Sequence, residues 1–256
     1  MDGIKQYGPL HAENIMILTS LKYLLVLFLV LLSISACAYS NTVRSTMVGY
    51  SDFREIGPKL YVSPNIDPSQ NQEIIALISD ARSRITKRFG APTSKPTIII
   101  SEGKKEQKQF KLYGAPGKLL IAPWGNYMIL SNNLRSLDVA AHELVHAEIA
   151  ERLGYLTRMR KMPTWLDEGI ALQVDHRPRY TKLTNINQTE FERVVSLSTP
   201  KLFWSQVPEQ NIKNYQSAKM AVQDFVLPVI DRKGLYRILE EIKAGESIEG
   251  FIEHEN

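Results

Sequence analysis

The strongest constraint on the fold is one apolar helix in the middle of the chain. Residues 137–153 carry apolar side chains at helical spacing, and Gly154 follows them as a stop signal. Val139, Leu144 and Val145 flank the polar residues of this segment, so one side of the helix must face a core. The rest of the chain therefore has to pack against it.

The periodicity elsewhere places strands only before this helix and mainly helices after it. We predict strands at residues 59–62, 97–100, 118–121 and 127–130. We predict further helices at residues 71–89, 104–111, 164–174, 190–197, 215–229 and 234–244. This order favours the α+β class, with a small mixed sheet packed on the central helix and a mostly helical C-terminal part.

The central helix contains the pattern H-E-x-x-H at residues 142–146. Residues four apart lie above one another on a helix, so His142 and His146 can both turn an imidazole nitrogen to one metal ion. Glu143 lies a step further round, where it can reach a water in the metal's open position and act as general base. We therefore predict a Zn²⁺ site. The alternative, a solvated helix with two histidines, fits the apolar flanks poorly.

A second motif follows at residues 163–171, which read P-T-W-L-D-E-G-I-A. H-E-x-x-H followed by W-L-x-E-G-x-A resembles the gluzincin zinc metallopeptidases of the peptidase MA-like group, over residues 139–172. The resemblance implies a zincin-like fold, peptide-bond hydrolysis with a zinc-bound water as nucleophile, and Glu168 as the third zinc ligand. Ile149 and Arg152 stand where the metzincins carry Gly and His, which excludes that class.

The sequence gives weaker support for functional roles of other residues near this site. The resemblance implies a tyrosine at the start of a later helix that hydrogen-bonds the oxyanion. Tyr215 fits it, Tyr180 is the alternative, and a tyrosine that only packs is a third interpretation. Asp167 is either a favourable charge at a helix N-terminus or a hydrogen-bond partner of a zinc histidine. Asp175 and His176 could approach the metal, but no motif supports them.

The sequence also indicates how a substrate would bind. We interpret residues 127–131 as an edge strand that could pair with an extended peptide. Residues 125–128 (G-N-Y-M) do not match the segment with which zinc aminopeptidases hold a free amine, so an endopeptidase fits better. Two alternatives stay open. One is a non-catalytic envelope lipoprotein whose structural zinc has a fourth protein ligand such as His176, and the other is a zinc hydrolase of a non-peptide amide.

The N-terminal residues predict a targeting segment rather than a folded one. Residues 24–32 form an unbroken apolar run, shorter than the roughly 20 residues that a membrane-spanning helix needs. Residues 34–37 (I-S-A-C) resemble a bacterial lipobox, which implies cleavage before Cys37 and acylation of its thiol. An uncleaved anchor helix is the alternative. Because the residues before Met16 are polar and would make an unusually long leader to the apolar run, we predict that translation starts at Met16.

These features divide the chain into a signal peptide (1–36), a lipidated tether (37–58) and a metallopeptidase domain (59–256). Lipidation would hold the protein in the cell envelope, facing the periplasm or the exterior. Ala38, which follows the cysteine, favours the outer membrane in a diderm bacterium.

Composition narrows the expected partners. The net charge of +4, from 31 basic and 27 acidic residues, is too small and too scattered to favour nucleic acid. With one cysteine, Cys37, neither an intramolecular disulfide nor a cysteine zinc site can form. The expected partners are a peptide or protein substrate and, through the lipid, the membrane. The oligomeric state stays open.

Overall fold

The computed structural model describes residues 20–30, 40–183 and 185–246. The chain forms two compact units, residues 1–43 and residues 44–256. The second unit holds the sheet and the helices around it, and each unit is described by itself.

In the first unit, residues 20–30 form helix α1, which is exposed along its length. No helix among the described residues has both the length and the apolar character needed to cross a bilayer. Met16, Cys37 and the residues that resemble a lipobox lie outside the described part of the chain. The predictions of a signal peptide and of lipidation therefore stay predictions.

The second unit contains a five-stranded sheet with the strand order β1-β2-β3-β5-β4. Its strands are β1 (Arg54–Gly57), β2 (Leu60–Val62), β3 (Thr97–Ser101), β4 (Gly117–Ala122) and β5 (Gly125–Ser131). β2, β3 and β5 run parallel to one another, whereas β1 and β4 run antiparallel to their neighbours and form the two edges. The four predicted strands are confirmed, and β1 is added to them.

Two predictions about the sheet differ from the structure. The interpretation of residues 127–131 as an edge is wrong, because they lie in β5 between β3 and β4 and are all buried. An unbroken apolar run is typical of such an interior strand, and β4 is the edge strand beside it. Residues 54–57, assigned to the tether, form β1. This strand is short and is bulged between Glu55 and Gly57, so it shows no regular alternation in the sequence.

The helices predicted at residues 71–89, 137–153 and 234–244 agree with the structure, and the other predicted helices differ in their bounds. The helices after α1 are α2 (Ser40–Thr46), α3 (Asn71–Phe89), α4 (Gly103–Gln109), α5 (Leu137–Leu153), α6 (Tyr155–Lys161), α7 (Thr164–Ala171), α8 (Gln188–Val195), α9 (Pro200–Phe203), α10 (Pro208–Ala221), α11 (Leu227–Lys233) and α12 (Leu235–Ala244). The predicted helix 215–229 is the end of α10, a π-helical turn (Val222–Val226) and the start of α11. Helix α10 begins earlier because Pro208 is favoured in a first helical turn.

Helix α5 lies at the centre of the second unit. It packs against β4 and β5 of the sheet and against α3, α7 and α12. Most of its side chains are buried, including Leu144, Val145 and both histidines. Buried polar groups need partners, so the histidines and carboxylates of α5 must find them inside the fold. The α+β class, with a small mixed sheet and a mostly helical C-terminal part, is confirmed.

Candidate metal centre

Two neighbouring helices bring three metal-binding side chains together. His142 and His146 lie on one face of α5, and Glu168 lies on α7. The two Nε2 atoms are 3.1 Å apart, and Glu168 Oε2 lies 3.3 Å from that of His142 and 3.5 Å from that of His146. All three side chains are buried. Among the described residues no fourth His, Cys, Asp or Glu joins this group, and His176 is exposed.

The triangle formed by these three atoms has the size of a zinc site. With zinc bonds of about 2.0–2.1 Å and tetrahedral angles, neighbouring ligand atoms lie about 3.3 Å apart. The observed edges of 3.1, 3.3 and 3.5 Å bracket that value. Two imidazole nitrogens and one carboxylate oxygen are also a ligand set that zinc accepts, with one position left over. The residues therefore fit Zn²⁺.

An aspartate and an arginine orient His146. Asp167 Oδ1 lies 2.8 Å from His146 Nδ1, and Oδ2 of this buried carboxylate pairs with Arg158 on α6. Burial would raise the pKa of Asp167, but Arg158 and His146 lower it, so the carboxylate is ionised and Nδ1–H donates to it. Nε2 then keeps the lone pair that a metal needs. Asp167 also lies in the first turn of α7, so the structure agrees with both interpretations of this residue, the charge at a helix N-terminus and the hydrogen bond to His146.

A similar pair of charges stands behind His142. Asp175 Oδ2 lies 3.4 Å from His142 Nδ1, at ion-pair distance though not aligned as a hydrogen bond. Asp175 is fully buried and pairs with Arg177, whose Nε lies 2.9 Å from both carboxylate oxygens. The sequence indicated only that Asp175 could approach the metal. It lies instead behind the imidazole, a position that no motif marks.

The charges around the three ligands favour a cation between them. Burial would lower the pKa of both imidazoles. The carboxylates of Asp175 and Glu168 nevertheless raise the pKa of His142, and those of Asp167 and Glu168 raise the pKa of His146 strongly. Burial would raise the pKa of Glu168, but the imidazoles hold it well below its usual range. Glu168 Oε2 has no hydrogen-bond partner although it is buried. Such an oxygen is costly to leave alone and is a suitable metal ligand.

Glu143, the candidate general base, lies beside the edge strand β4. It is buried on α5, and burial raises its pKa. A Cβ atom on Gly117 of β4 would come 3.3 Å from Glu143 Cγ and under 3 Å from the side chains of Leu130 and Val139, at 2.7 Å and 2.8 Å. A glycine is therefore needed for β4 to pass so close to α5.

The residues around Glu168 explain how α7 holds its position. Trp165 and Leu166 are buried in the core. A Cβ atom on Gly169 would come 2.5 Å from the Ala218 carbonyl oxygen and 2.5 Å from a Val222 methyl group, so α7 and α10 touch there. In the pattern W-L-x-E-G-x-A, the two apolar residues thus anchor the helix. The glycine lets the helix lie against α10.

The two candidate tyrosines are neighbours. The ring centroids of Tyr180 and Tyr215 are 5.1 Å apart, and Trp204 Nε1–H donates to the Tyr215 hydroxyl at 3.0 Å. Burial raises the pKa of each phenol, and the Glu168 carboxylate adds to both shifts. The structure thus brings the two candidate tyrosines together. Tyr215 does not lie at a helix start, as the resemblance implied, but in the middle of α10, which begins at Pro208.

Replacing Asp167 by Asn is expected to weaken zinc binding by about 10–100-fold, the usual cost of losing the hydrogen-bond partner of a metal-bound histidine. Asn keeps the shape but removes the charge that holds the proton on His146 Nδ1. Titration of the metal-free protein with Zn²⁺ against a competing chelator measures the change. Asp231→Asn is the matched control, since Asp231 is exposed and pairs with Arg88 on the surface. Equal affinity in Asp167→Asn would show that other groups orient His146.

Comparisons with known proteins identify no relative of this chain. No protein-family model, curated protein or solved structure matches the chain. The case for a function consequently depends on the two motifs and on the geometry of His142, Glu143, His146 and Glu168.

Proposed function

We propose that this chain is a zinc-dependent metallopeptidase of the gluzincin type, with a zincin-like fold. The observation that carries the proposal is the triangle of His142 Nε2, His146 Nε2 and Glu168 Oε2, whose edges of 3.1, 3.3 and 3.5 Å suit zinc ligands. Two motifs distant in the sequence supply these atoms. With no fourth ligand among the described residues, one coordination position is left for water or substrate, as in catalytic zinc sites.

The surrounding residues have roles that suit hydrolysis. Bound zinc supplies a Lewis acid and lowers the pKa of a water ligand to about 7. The Glu143 carboxylate takes a proton from the attacking water and returns it to the leaving amine. The pKa of Glu143, raised by burial, suits a group that must both accept and release a proton. Tyr215 donates a hydrogen bond to the oxygen of the scissile carbonyl.

The edge strand β4 suits a polypeptide substrate. Its outer side has no strand neighbour in the described sheet, and its first residue, Gly117, lies beside Glu143. An extended peptide can pair with such an edge through main-chain hydrogen bonds, whatever its side chains. A peptide bound along β4 would lie beside Glu143, the general base. Because pairing with an open strand edge does not require a chain terminus, the middle of a polypeptide can bind there. We therefore propose an endopeptidase.

Removing zinc with a chelator is expected to abolish hydrolysis, and adding Zn²⁺ back is expected to restore it, because His142, His146 and Glu168 would hold the metal. Cleavage of fluorescein-labelled casein by the purified full chain measures the activity, and mass spectrometry measures the zinc content. Mg²⁺ added in place of zinc is the control. Stoichiometric zinc without cleavage of casein or of simple amides would favour the structural-zinc lipoprotein.

We also propose that acyl groups on Cys37 hold the enzyme in the bacterial cell envelope. The apolar run of residues 24–32 and the sequence I-S-A-C that ends at Cys37 support this proposal. Metabolic labelling with an alkyne fatty acid is expected to mark the wild-type protein in the membrane fraction and to leave Cys37→Ser unmarked. A labelled Cys37→Ser variant would contradict the proposal.

A further inference from the structure

The hydroxyl group of Tyr215 has one hydrogen-bond partner among the described residues, and that partner is Trp204. An indole N–H can only donate, so it occupies a lone pair of the hydroxyl oxygen and leaves the phenolic hydrogen to donate elsewhere. The aromatic ring of Tyr215 is also held in place, by two neighbouring rings. Its centroid lies 5.1 Å from that of Phe203, edge to face, and 5.1 Å from that of Tyr180.

Helix α10, which carries this phenol, packs against α7, which carries the candidate metal ligand Glu168. Tyr215 lies about one helical turn before Ala218 on α10, and the Ala218 carbonyl touches Gly169, the residue after Glu168. Trp204, by contrast, is 48% exposed. Its indole therefore reaches from the surface to the hydroxyl group of the half-buried Tyr215.

We propose that Trp204 is a positioning residue for the reaction, whose indole N–H turns the Tyr215 hydroxyl so that its hydrogen points at the substrate carbonyl. This inference rests on the proposed function. A phenol whose oxygen has no fixed donor can rotate its hydrogen toward any nearby acceptor, including water. With the lone pair occupied by Trp204, fewer orientations remain, and a donor that is already oriented needs no reorganisation during the reaction.

Two substitutions separate this role from simple packing. Tyr215→Phe removes the hydroxyl and is expected to lower kcat by about 10²–10³-fold, as the loss of an oxyanion donor does. Trp204→Phe keeps an aromatic ring but removes the N–H. It is expected to lower kcat by about tenfold, the equivalent of one hydrogen bond, with KM and zinc content unchanged. In the double variant kcat should equal that of Tyr215→Phe, because the indole acts only through the hydroxyl.

The kinetics are measured with a quenched peptide that contains one casein cleavage site. Leu202→Ala, an exposed neighbour of Trp204, is the control and should keep wild-type kinetics. Wild-type kcat in Trp204→Phe, or losses that multiply in the double variant, would overturn the proposal. Glu143→Gln reports separately on the proposed function, since it tests the general base and not the tyrosine.

The hydrogen bond can also be followed without any activity. In ¹H–¹⁵N spectra of the zinc-loaded protein, Tyr215→Phe should move the indole resonance of Trp204 upfield, because its acceptor is lost. The resonances of Trp124 and Trp165 should stay in place. An unmoved Trp204 resonance would overturn the inference, whatever the protein hydrolyses.

Discussion

The Glu143→Gln variant is expected to lose hydrolysis and to keep its zinc. Gln preserves the size of the side chain beside Gly117 but cannot take a proton from water, and general acid–base catalysis contributes about 10²–10⁴-fold. The metal ligands, His142, His146 and Glu168, are untouched, so zinc content should stay near one equivalent per chain. Casein cleavage and mass-spectrometric zinc analysis on the same preparation measure both effects.

Glu151→Gln is the matched control for this variant. Glu151 lies on the same helix but is exposed and outside the metal group, so activity and zinc content should both stay at the wild-type level. If Glu143→Gln cleaved casein as fast as the wild type, Glu143 would not be the general base. If both activity and zinc were lost, Glu143 would act as a ligand, and the three-ligand arrangement would need revision.

The central helix and the residues it carries could be predicted from the sequence because their signals are local. The bounds of α5 follow from apolar spacing and from Gly154, and the spacing of His142 and His146 puts both on one face. Glu168 could be proposed as a ligand only through the resemblance of its motif, since nothing local ties α7 to α5. The structure brings Glu168 Oε2 within 3.5 Å of both Nε2 atoms.

What the sequence could not predict depends on contacts between distant segments. The order of the strands is one example: β5 is interior because β3 and β4 pair with it from both sides, a fact that its own residues suggest only through continuous burial. Asp175 is another. It comes to His142 across 33 residues of sequence, counted from 142 to 175, and no motif surrounds it. Trp204 reaches Tyr215 in the same way, from a loop after α9.

The paired aspartates give the candidate site a property that a chance cluster of histidines lacks. Asp167 and Asp175 stand behind the two imidazoles, and each is itself paired with an arginine. The Asp167 carboxylate hydrogen-bonds His146 Nδ1, and Asp175 lies at ion-pair distance from His142 Nδ1, so both imidazoles have a negative charge on the side away from Glu168. Three electron-rich atoms that converge within 3.5 Å repel one another unless a proton or a metal ion lies among them.

The Glu168→Ala variant is expected to lose zinc and, with it, hydrolysis. Removing a ligand takes away a metal bond, so affinity should fall by more than the roughly 10–100-fold that loss of an outer hydrogen-bond partner costs. Thermal unfolding gives a second measure. At about 1,000 times its Kd, zinc stabilises the wild type by about 4 kcal/mol, or roughly 8–16 °C in Tm for a domain of this size. The Tm of Glu168→Ala should rise far less.

Two further variants make this test decisive. Glu168→Gln keeps the volume of the side chain and should bind zinc weakly, which separates a lost ligand from a damaged core. His176→Ala removes the exposed histidine that could complete a closed site, and it should keep both zinc and activity. Full zinc content in Glu168→Ala would refute the gluzincin assignment. Loss of zinc in His176→Ala would instead indicate four protein ligands, hence a structural metal, because a closed tetrahedral site has no position for water.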